Sequence, residues 1–262
     1  NRKTNWARKQ LKKRHSLFVK LDINQIPYKR KNIIELLKQL VTTPKKLFHS
    51  FFQFFENKYH SLKKTYLPDI LILGGLAALR ESKVKNKIYA HTMDYDVYLN
   101  IKNKPKNNGN PYAVFLDEDM VTHPDLSYLN YEVPVSEFQY YSILTRFLKK
   151  FEIKTGLQVK FAIHPKSCNT NLPNLLKDID YSIGNTAELV KNSSAVLLHS
   201  STALSYAILF KKPAIFLTSN QLKKSWIGPR IDTFAKVVNG QLINMDDDFN
   251  KPLNLHSLSK ID

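Results

Sequence analysis

Short apolar runs alternate with amphipathic helical stretches through the second half of the chain. The run Ala195–Leu198 is wholly apolar, ends at four polar residues, and is followed by a helical stretch over 203–210. Pro213 then opens a second apolar run that reaches Leu217. Because two buried strands joined by a helix form a parallel βαβ unit, this pattern predicts strand, turn, helix and strand in that order. The polar turn would then meet the helix N-terminus, a position that favours phosphate.

The same alternation extends upstream. The sequence predicts strands over 68–75, 113–116 and 157–163, a strand with its acidic edge over 88–99, and a short helix over 188–191. Ser136-Glu-Phe-Gln139 fits a capping box, and we expect the helix that it opens to end at Gly156. The residues expected on the buried face of that helix are Phe138, Tyr141, Leu144, Leu148 and Phe151. Strands that alternate with helices indicate an α/β fold with parallel sheets.

The first half of the chain is basic and carries an aromatic helical stretch. Lysines flank this stretch, whose apolar residues recur at helical spacing: Leu47, Phe48, Phe51, Phe52 and Phe55. Such a helix either lies on an anionic membrane surface or packs its phenylalanines into its own domain. The segment 102–111 is polar and rich in helix breakers, so it is the predicted linker. We therefore expect an N-terminal domain over 1–110 and a C-terminal domain over 111–262.

Composition narrows the class of protein. The 262 residues include 40 Lys and Arg against 22 Asp and Glu, a net charge of +18, which favours polyanionic partners. The basic residues concentrate in the N-terminal arm, so we expect no nucleic-acid groove. The single cysteine excludes an internal disulfide framework and a cysteine-rich zinc site. Without a visible signal peptide or membrane-spanning run, we expect a cytoplasmic protein, peripheral at the inner membrane if the aromatic helix binds lipid.

Polar clusters follow several of the predicted strands. They are His91-Thr-Met-Asp-Tyr-Asp96, Asp117-Glu-Asp119 with His123, His164-Pro-Lys166, and His199-Ser-Ser-Thr202. Because loops at the carboxyl ends of parallel strands gather at one edge, we expect these clusters to meet in one cleft. Carboxylates suit a base or a nucleophile, whereas imidazole and lysine suit the neutralisation of a leaving phosphate. The alternative for Ser200 or Ser201 is a helix N-cap. No pair of acidic or histidine residues has compact metal-ligand spacing, so we expect no metal.

The order of two of these motifs resembles a known enzyme family. A strand that ends in His164-Pro165, followed by a Ser200-Ser201 turn that opens a helix, is similar to the nucleotide-binding half of bacterial GT-B glycosyltransferases that use CMP-sugars. The sialyltransferase and Kdo-transferase groups are the nearest. The stretches 68–75, 91–96, 115–119 and 123–125 also look like bacterial surface-polysaccharide proteins of this type. The resemblance covers roughly 68–218.

The resemblance implies a fold, a reaction and a set of residues. We expect two Rossmann-like domains with parallel sheets and a cleft between them. The enzyme would move a sugar from a nucleotide-sugar, with CMP-sugar favoured, to a bacterial surface polysaccharide or lipid-linked glycan, without a cofactor. The donor-binding residues would be His164, Pro165, Lys166, Glu188, His199, Ser200, Ser201 and Thr202, with His91 and His123 elsewhere in the cleft.

Two departures from the family limit the assignment. The chain has no clear acid-acid-Gly motif, so the catalytic carboxylate stays open among Asp94, Asp96, Asp117 and Glu118. The first half is short for a complete GT-B domain, so we expect an incomplete N-terminal domain. The alternative functions are a nucleotide-sugar epimerase on the same architecture and a non-catalytic basic protein that binds nucleic acid or membrane.

Overall fold

A computed structural model describes part of the chain in two compact units. The described residues are 10, 17–22, 67–75, 83–106, 109–128, 131–165, 167, 174, 176 and 179–247. The units lie within Asn1–Thr92 and Met93–Asp262, so the division falls earlier than the predicted boundary at 110. Among the helices in the described ranges, none is long and apolar enough to cross a bilayer. The aromatic helical stretch over 45–55 lies outside the described residues.

The first unit contains a parallel three-stranded sheet. Its strands are β1 (Val19–Asp22), β2 (Ile70–Leu73) and β3 (Asn86–Tyr89), in the order β1-β2-β3. The apolar strand β2 is central, and Leu71 and Leu73 are buried, as expected for its apolar run. Gly75 follows with a φ of 54°, a left-handed conformation that glycine adopts without steric cost. The strand and glycine turn predicted over 68–75 are therefore confirmed.

The second unit is a six-stranded parallel sheet with helices. Its strands are β4 (Tyr112–Leu116), β5 (Gln158–Ile163), β6 (Asp180–Ile183), β7 (Ala195–Leu198), β8 (Ala214–Thr218) and β9 (Gln241–Asn244). Its helices are α1 (Met93–Ile101), α2 (Pro124–Tyr128), α3 (Glu137–Thr155), α4 (Thr186–Asn192), α5 (Leu204–Leu209), α6 (Asn220–Lys224) and α7 (Gly228–Val237). The strand order β6-β5-β4-β7-β8-β9 is the Rossmann order, with its switch point between β4 and β7. The predicted α/β class with parallel sheets is confirmed.

The sheet of the second unit is buried along its central strands. Every residue of β4, β7 and β8 is buried, which explains why these strands appear in the sequence as unbroken apolar runs. Helix α3 buries Tyr141, Leu144 and Phe151 as predicted, but Phe138 is 77% exposed, so its assignment to the buried face was wrong. Phe138 projects from a different side of α3 than the buried residues, since Tyr140 in the same turn is buried.

The sequence predicted correctly where α3 begins and ends, but it did not predict the hydrogen bonds at the start of the helix. Gly156 ends the helix with a φ of 69° and donates its N–H to Glu152 O, as predicted. Ser136 precedes the helix, but its hydroxyl donates to Gln139 Oε1 at 2.9 Å and makes no bond to a helix N–H. The reciprocal capping box is therefore not formed.

Helix α1 corrects two predictions. The segment 88–99, predicted as a strand and its acidic edge, is a strand only up to Tyr89 and becomes helical from Met93. The helix packs against α4 and α5, and the rings of Tyr98 and Phe210 lie 5.0 Å apart. Lys191 Nζ also donates to the carbonyl of Ile101 at the end of α1. The segment that follows α1 therefore belongs to the second unit and is not the linker between units.

Candidate functional site

A cleft of about 610 Å³ opens at the carboxyl ends of β4, β5, β6 and β7 in the second unit. It is lined by Leu116, Asp117, Ala162, Ile163, His164, Pro165, Gly184, Asn185, Thr186, Ala187, Glu188, Ser201, Thr202, Ala203 and Tyr206, with Val97 and Ile101 from α1. The crevice includes the β4–β7 switch point, where sheets of this kind bind ligands. Its volume lies within the range of about 300–1,000 Å³ that is usual for small-molecule sites.

Asp117 ties two walls of the cleft together. Its Oδ2 accepts the backbone N–H of His164 at 3.2 Å, and its Oδ1 accepts the N–H of Asp119 at 3.0 Å. Burial raises the pKa of Asp117 to about 6, because the lost solvation outweighs these hydrogen bonds. The ring of His164 meets the ring of His123 edge-on at 4.7 Å. The loops after β4 and β5 are thus held together beside the cleft.

Ser200 anchors the turn after β7. Its N–H and its hydroxyl donate to the two carboxylate oxygens of Glu118, and the hydroxyl distance is 3.0 Å. Arg230 Nη2 donates to the Ser200 carbonyl at 3.1 Å. Burial raises the pKa of Glu118 to about 7, and the hydrogen bonds from Ser200 and the charge of Arg230 oppose that rise only in part. Ser200 therefore lies behind the wall that Ser201 and Thr202 form.

The helix that follows begins later than the hydroxyl cluster. Helix α5 starts at Leu204, and the residue before it is Ala203, which has no side chain to cap the helix. Ser201 Oγ accepts the N–H of Ala203 at 3.3 Å, a bond within the turn. Ser200 therefore does not cap the helix, and the one bond of this kind that Ser201 makes lies within the turn that leads into α5.

His199 belongs to the core instead of the cleft. It is fully buried, with Nδ1 2.7 Å from Leu217 O and Nε2 3.0 Å from the Tyr140 hydroxyl. Because a carbonyl only accepts, Nδ1 carries the proton and Nε2 accepts from Tyr140. Burial lowers the pKa of His199 to about 4, so the ring is neutral near pH 7. Both ring nitrogens are hydrogen-bonded. His199 was expected to line the cleft, but it does not.

Helix α1 forms a further wall. Val97 and Ile101 line the cleft, while Asp94 at the start of the helix accepts the hydroxyl of Ser205 at 2.6 Å. Asp94 therefore fastens α1 to α5. Asp96 is exposed and does not line the cleft.

The structure thus separates the predicted residues into groups. Those that line the cleft are Asp117, His164, Pro165, Glu188, Ser201 and Thr202. Those of the second unit that do not line it are Asp94, Asp96, Glu118, His123, His199 and Ser200. His91 belongs to the first unit, and Lys166 lies outside the described residues. Glu188 is exposed and pairs with Lys104 Nζ at 2.7 Å, a surface ion pair.

Some residues at the site had no signal in the sequence. Arg230 lies far along the chain and outside any motif, and Tyr206 sits in an apolar helical stretch. Tyr206 lines the cleft, and burial raises its pKa to about 12, with Asp94 adding to the rise. Among the described residues, no group of three acidic, histidine or cysteine side chains could hold a metal ion.

Comparisons with known proteins find similarity in structure only. No protein-family model matches this chain, and no curated protein matches it in sequence. The calicheamicin glycosyltransferase CalG4 is 12% identical with a TM-score of 0.41, over 89% of this chain and 56% of that protein. The spinosyn rhamnosyltransferase SpnG, solved with thymidine diphosphate, is 11% identical with a TM-score of 0.40, over 71% and 46%. SnogD from Streptomyces nogalater is an 11% identical glycosyltransferase with a TM-score of 0.35, over 68% and 56%. This chain spans about half the length of these proteins.

Proposed function

We propose that the second unit binds the nucleotide-sugar donor of a GT-B glycosyltransferase. The observation that carries the proposal is the convergence of His164-Pro165 and Ser201-Thr202 on one cleft at the Rossmann switch point. The two motifs are more than thirty residues apart in the sequence, and the sheet topology brings them to the same edge. A Rossmann crevice with hydroxyl and imidazole groups suits a nucleotide and its phosphate.

The reaction would be a displacement at the anomeric carbon of the donor sugar. The acceptor hydroxyl oxygen forms the new bond to that carbon, and the bond from the carbon to the phosphate oxygen breaks with its electron pair leaving on the nucleotide. The acceptor proton passes to a carboxylate base. His164 and the hydroxyls of Ser201 and Thr202 would donate to the leaving phosphate, and removal of one such donor in a closed site costs about 2.7–4 kcal/mol.

Asp117 is the carboxylate that we favour at the reacting centre. It lines the cleft, whereas Asp94, Asp96 and Glu118 do not. Its raised pKa, about 6, lets it accept a proton near neutral pH more readily than an ordinary aspartate. Its two backbone hydrogen bonds would hold it at the cleft wall.

The donor nucleotide and the acceptor are finer parts of the proposal. A cytidine nucleotide is favoured because the His-Pro and Ser-Ser/Thr motifs resemble those of CMP-sugar enzymes. The acceptor would be a bacterial surface polysaccharide or a lipid-linked glycan, and the protein would work in the cytoplasm at the inner membrane. The basic aromatic stretch over 45–55 supports the membrane part of this proposal, because lysines and phenylalanines bind anionic surfaces together.

Nucleotide binding tests the proposal directly. We expect CMP, in a thermal-shift panel with UDP, GDP and TDP, to raise the melting temperature, since ligand at 100 times its Kd stabilises by about 2.7 kcal/mol. His164→Ala should abolish the shift. Glu132→Gln, at an exposed position that does not line the cleft, is the control and should keep it. No shift with any nucleotide in the folded wild-type protein would contradict donor binding.

Product analysis and binding assays distinguish the proposed transferase from the two alternative functions. With a CMP-sugar, the proposed enzyme forms its product only when a glycan acceptor is present. An epimerase would convert the donor without an acceptor. Salt-sensitive binding to random DNA with no response to nucleotides would instead favour a basic binding protein.

A further inference from the structure

We propose that Glu118 is a positioning residue that holds the Ser201-Thr202 wall of the cleft in place through Ser200. The inference rests on the proposed function for its ligand, but its structural part concerns the turn alone. Glu118 was a candidate catalytic carboxylate, and this assignment gives it a different role. It does not line the cleft.

The contacts around Ser200 carry the inference. Both hydrogen-bond donors of Ser200, its N–H and its hydroxyl, end on the Glu118 carboxylate, and its carbonyl accepts from Arg230. Every polar group of this residue is therefore bonded to a side chain from another part of the second unit. Ser200 itself is fully buried, and the next residue in the chain, Ser201, lines the cleft. A shift of Ser200 would move Ser201 and Thr202 directly.

The surroundings of Glu118 favour a fixed structural carboxylate. Its two oxygens accept both donors of Ser200, and unlike Asp117 it does not line the cleft. The charged and titratable groups around it are Asp117 and Asp119 in its own loop, Arg230 on α7 and Tyr140 on α3. The charge of Arg230 offsets part of the rise in the pKa of Glu118 that burial causes, and the ionised carboxylate accepts both donors of Ser200.

Two substitutions at this position separate positioning from catalysis. In Glu118→Gln, the amide oxygen accepts the Ser200 N–H, and the amide N–H₂ donates to the Ser200 hydroxyl, which also accepts. Gln therefore keeps both bonds without a charge, and it has no capacity to act as a base. Glu118→Ala removes both bonds and leaves two buried donors without a partner.

Amide hydrogen exchange over 200–203 is the readout that needs no ligand. We expect Glu118→Ala to speed exchange in this turn by about tenfold or more, since local opening then costs less. Glu118→Gln should stay within about threefold of wild type. Glu132→Gln, the same change at an exposed position, is the control and should change nothing. Equal exchange in Glu118→Ala and wild type would overturn the proposal.

Nucleotide affinity and transfer supply the functional readout. We expect Glu118→Ala to raise the Kd for CMP about tenfold or more, and Glu118→Gln to stay within about threefold in both Kd and transfer rate. A loss of transfer of about 100-fold in Glu118→Gln, with Kd unchanged, would make Glu118 a catalytic base and overturn the positioning role.

Two outcomes need a further measurement: a Glu118→Ala variant that does not fold, and a wild-type protein that binds no nucleotide. If Glu118→Ala does not fold, Ser200→Ala replaces it, because it deletes only the hydroxyl bond. Unchanged exchange over 200–203 in Ser200→Ala would then overturn the proposal. If wild type binds no nucleotide, the proposed function fails, while the exchange comparison still decides the role of Glu118.

Discussion

The titration of Glu118 should contribute to the pH dependence of the free energy of unfolding, and a single substitution of Glu118 should reveal this contribution. Burial raises its pKa in the folded protein from 4.5 to about 7. Between these values the folded protein keeps a proton that the unfolded chain has lost, so the free energy of unfolding falls as pH rises through this window. At 1.36 kcal/mol per pKa unit, the contribution lost between pH 4.5 and pH 7 is about 3 kcal/mol.

Glu118→Gln removes this contribution and leaves the others. Asp117, with its pKa raised from 3.8 to about 6, acts in the same direction over its own window. His199, with its pKa lowered from 6.5 to about 4, acts in the opposite direction, because its buried neutral form loses stability as pH falls. Both groups are present in wild type and variant, so their effects cancel in the difference apart from the coulombic coupling between Asp117 and Glu118. Relative to wild type, Glu118→Gln should gain about 3 kcal/mol on going from about pH 4.5 to pH 7.5.

Urea unfolding at a series of pH values measures this difference. Glu132→Gln, the same substitution on an exposed side chain, is the control. If the difference between Glu118→Gln and wild type does not vary with pH, Glu118 titrates as a solvated carboxylate and the reasoning fails.

Two further predictions concern the carboxylate at the cleft and the basic aromatic stretch. Asp117→Asn should lower transfer by about 100-fold in a donor-consumption assay while the Kd for CMP changes by less than about tenfold. Asp96→Asn, exposed on α1, should keep transfer, and full activity in Asp117→Asn would remove Asp117 from the chemistry. The wild-type protein should co-sediment with anionic liposomes less well as salt rises, each nearby lysine or arginine adding about 1 kcal/mol. Phe51→Ser/Phe52→Ser should lose this binding but keep CMP binding, whereas a misfolded double variant would favour the packed-core interpretation.

The sequence predicted the centre of the second unit well because burial is strongest there. Strands β4, β7 and β8 are apolar runs that the sheet buries throughout, and β5 is apolar and buried over its last three residues. The edge strands β6 and β9 have mixed sequences with exposed or half-exposed residues, so no apolar run marks them. Helix α1 follows Thr92 and has Asp94 and Asp96 in its first turn, which are signals of a helix start, but its tyrosines and valine suit a strand equally well. Its packing against α4 and α5, which no local pattern records, adds to these signals.

The site was predictable in position but not in detail. Parallel topology brings the strand ends together, so the motifs at 164–165 and 201–202 were expected to meet, and both line the cleft. Which side chain of a loop enters the cleft depends on local backbone rotation. Asp117 lines it, while the next residue, Glu118, turns toward Ser200. Arg230 joins this cluster from α7, and no spacing in the sequence links it to Glu118.

Helix α1 has a consequence for dividing this protein into parts. It precedes the whole six-stranded sheet in the chain, yet it supplies Val97 and Ile101 to the cleft and is fastened by Asp94 to Ser205. A fragment that starts in the breaker-rich segment after α1 would retain every strand of the six-stranded sheet. It would still lack the wall of the cleft that α1 provides. The ring of Phe210 would lose its neighbour Tyr98 and face water. The shortest fragment that can be inherited, exchanged or expressed with an intact cleft therefore begins with α1 and not with β4, the first strand of the six-stranded sheet.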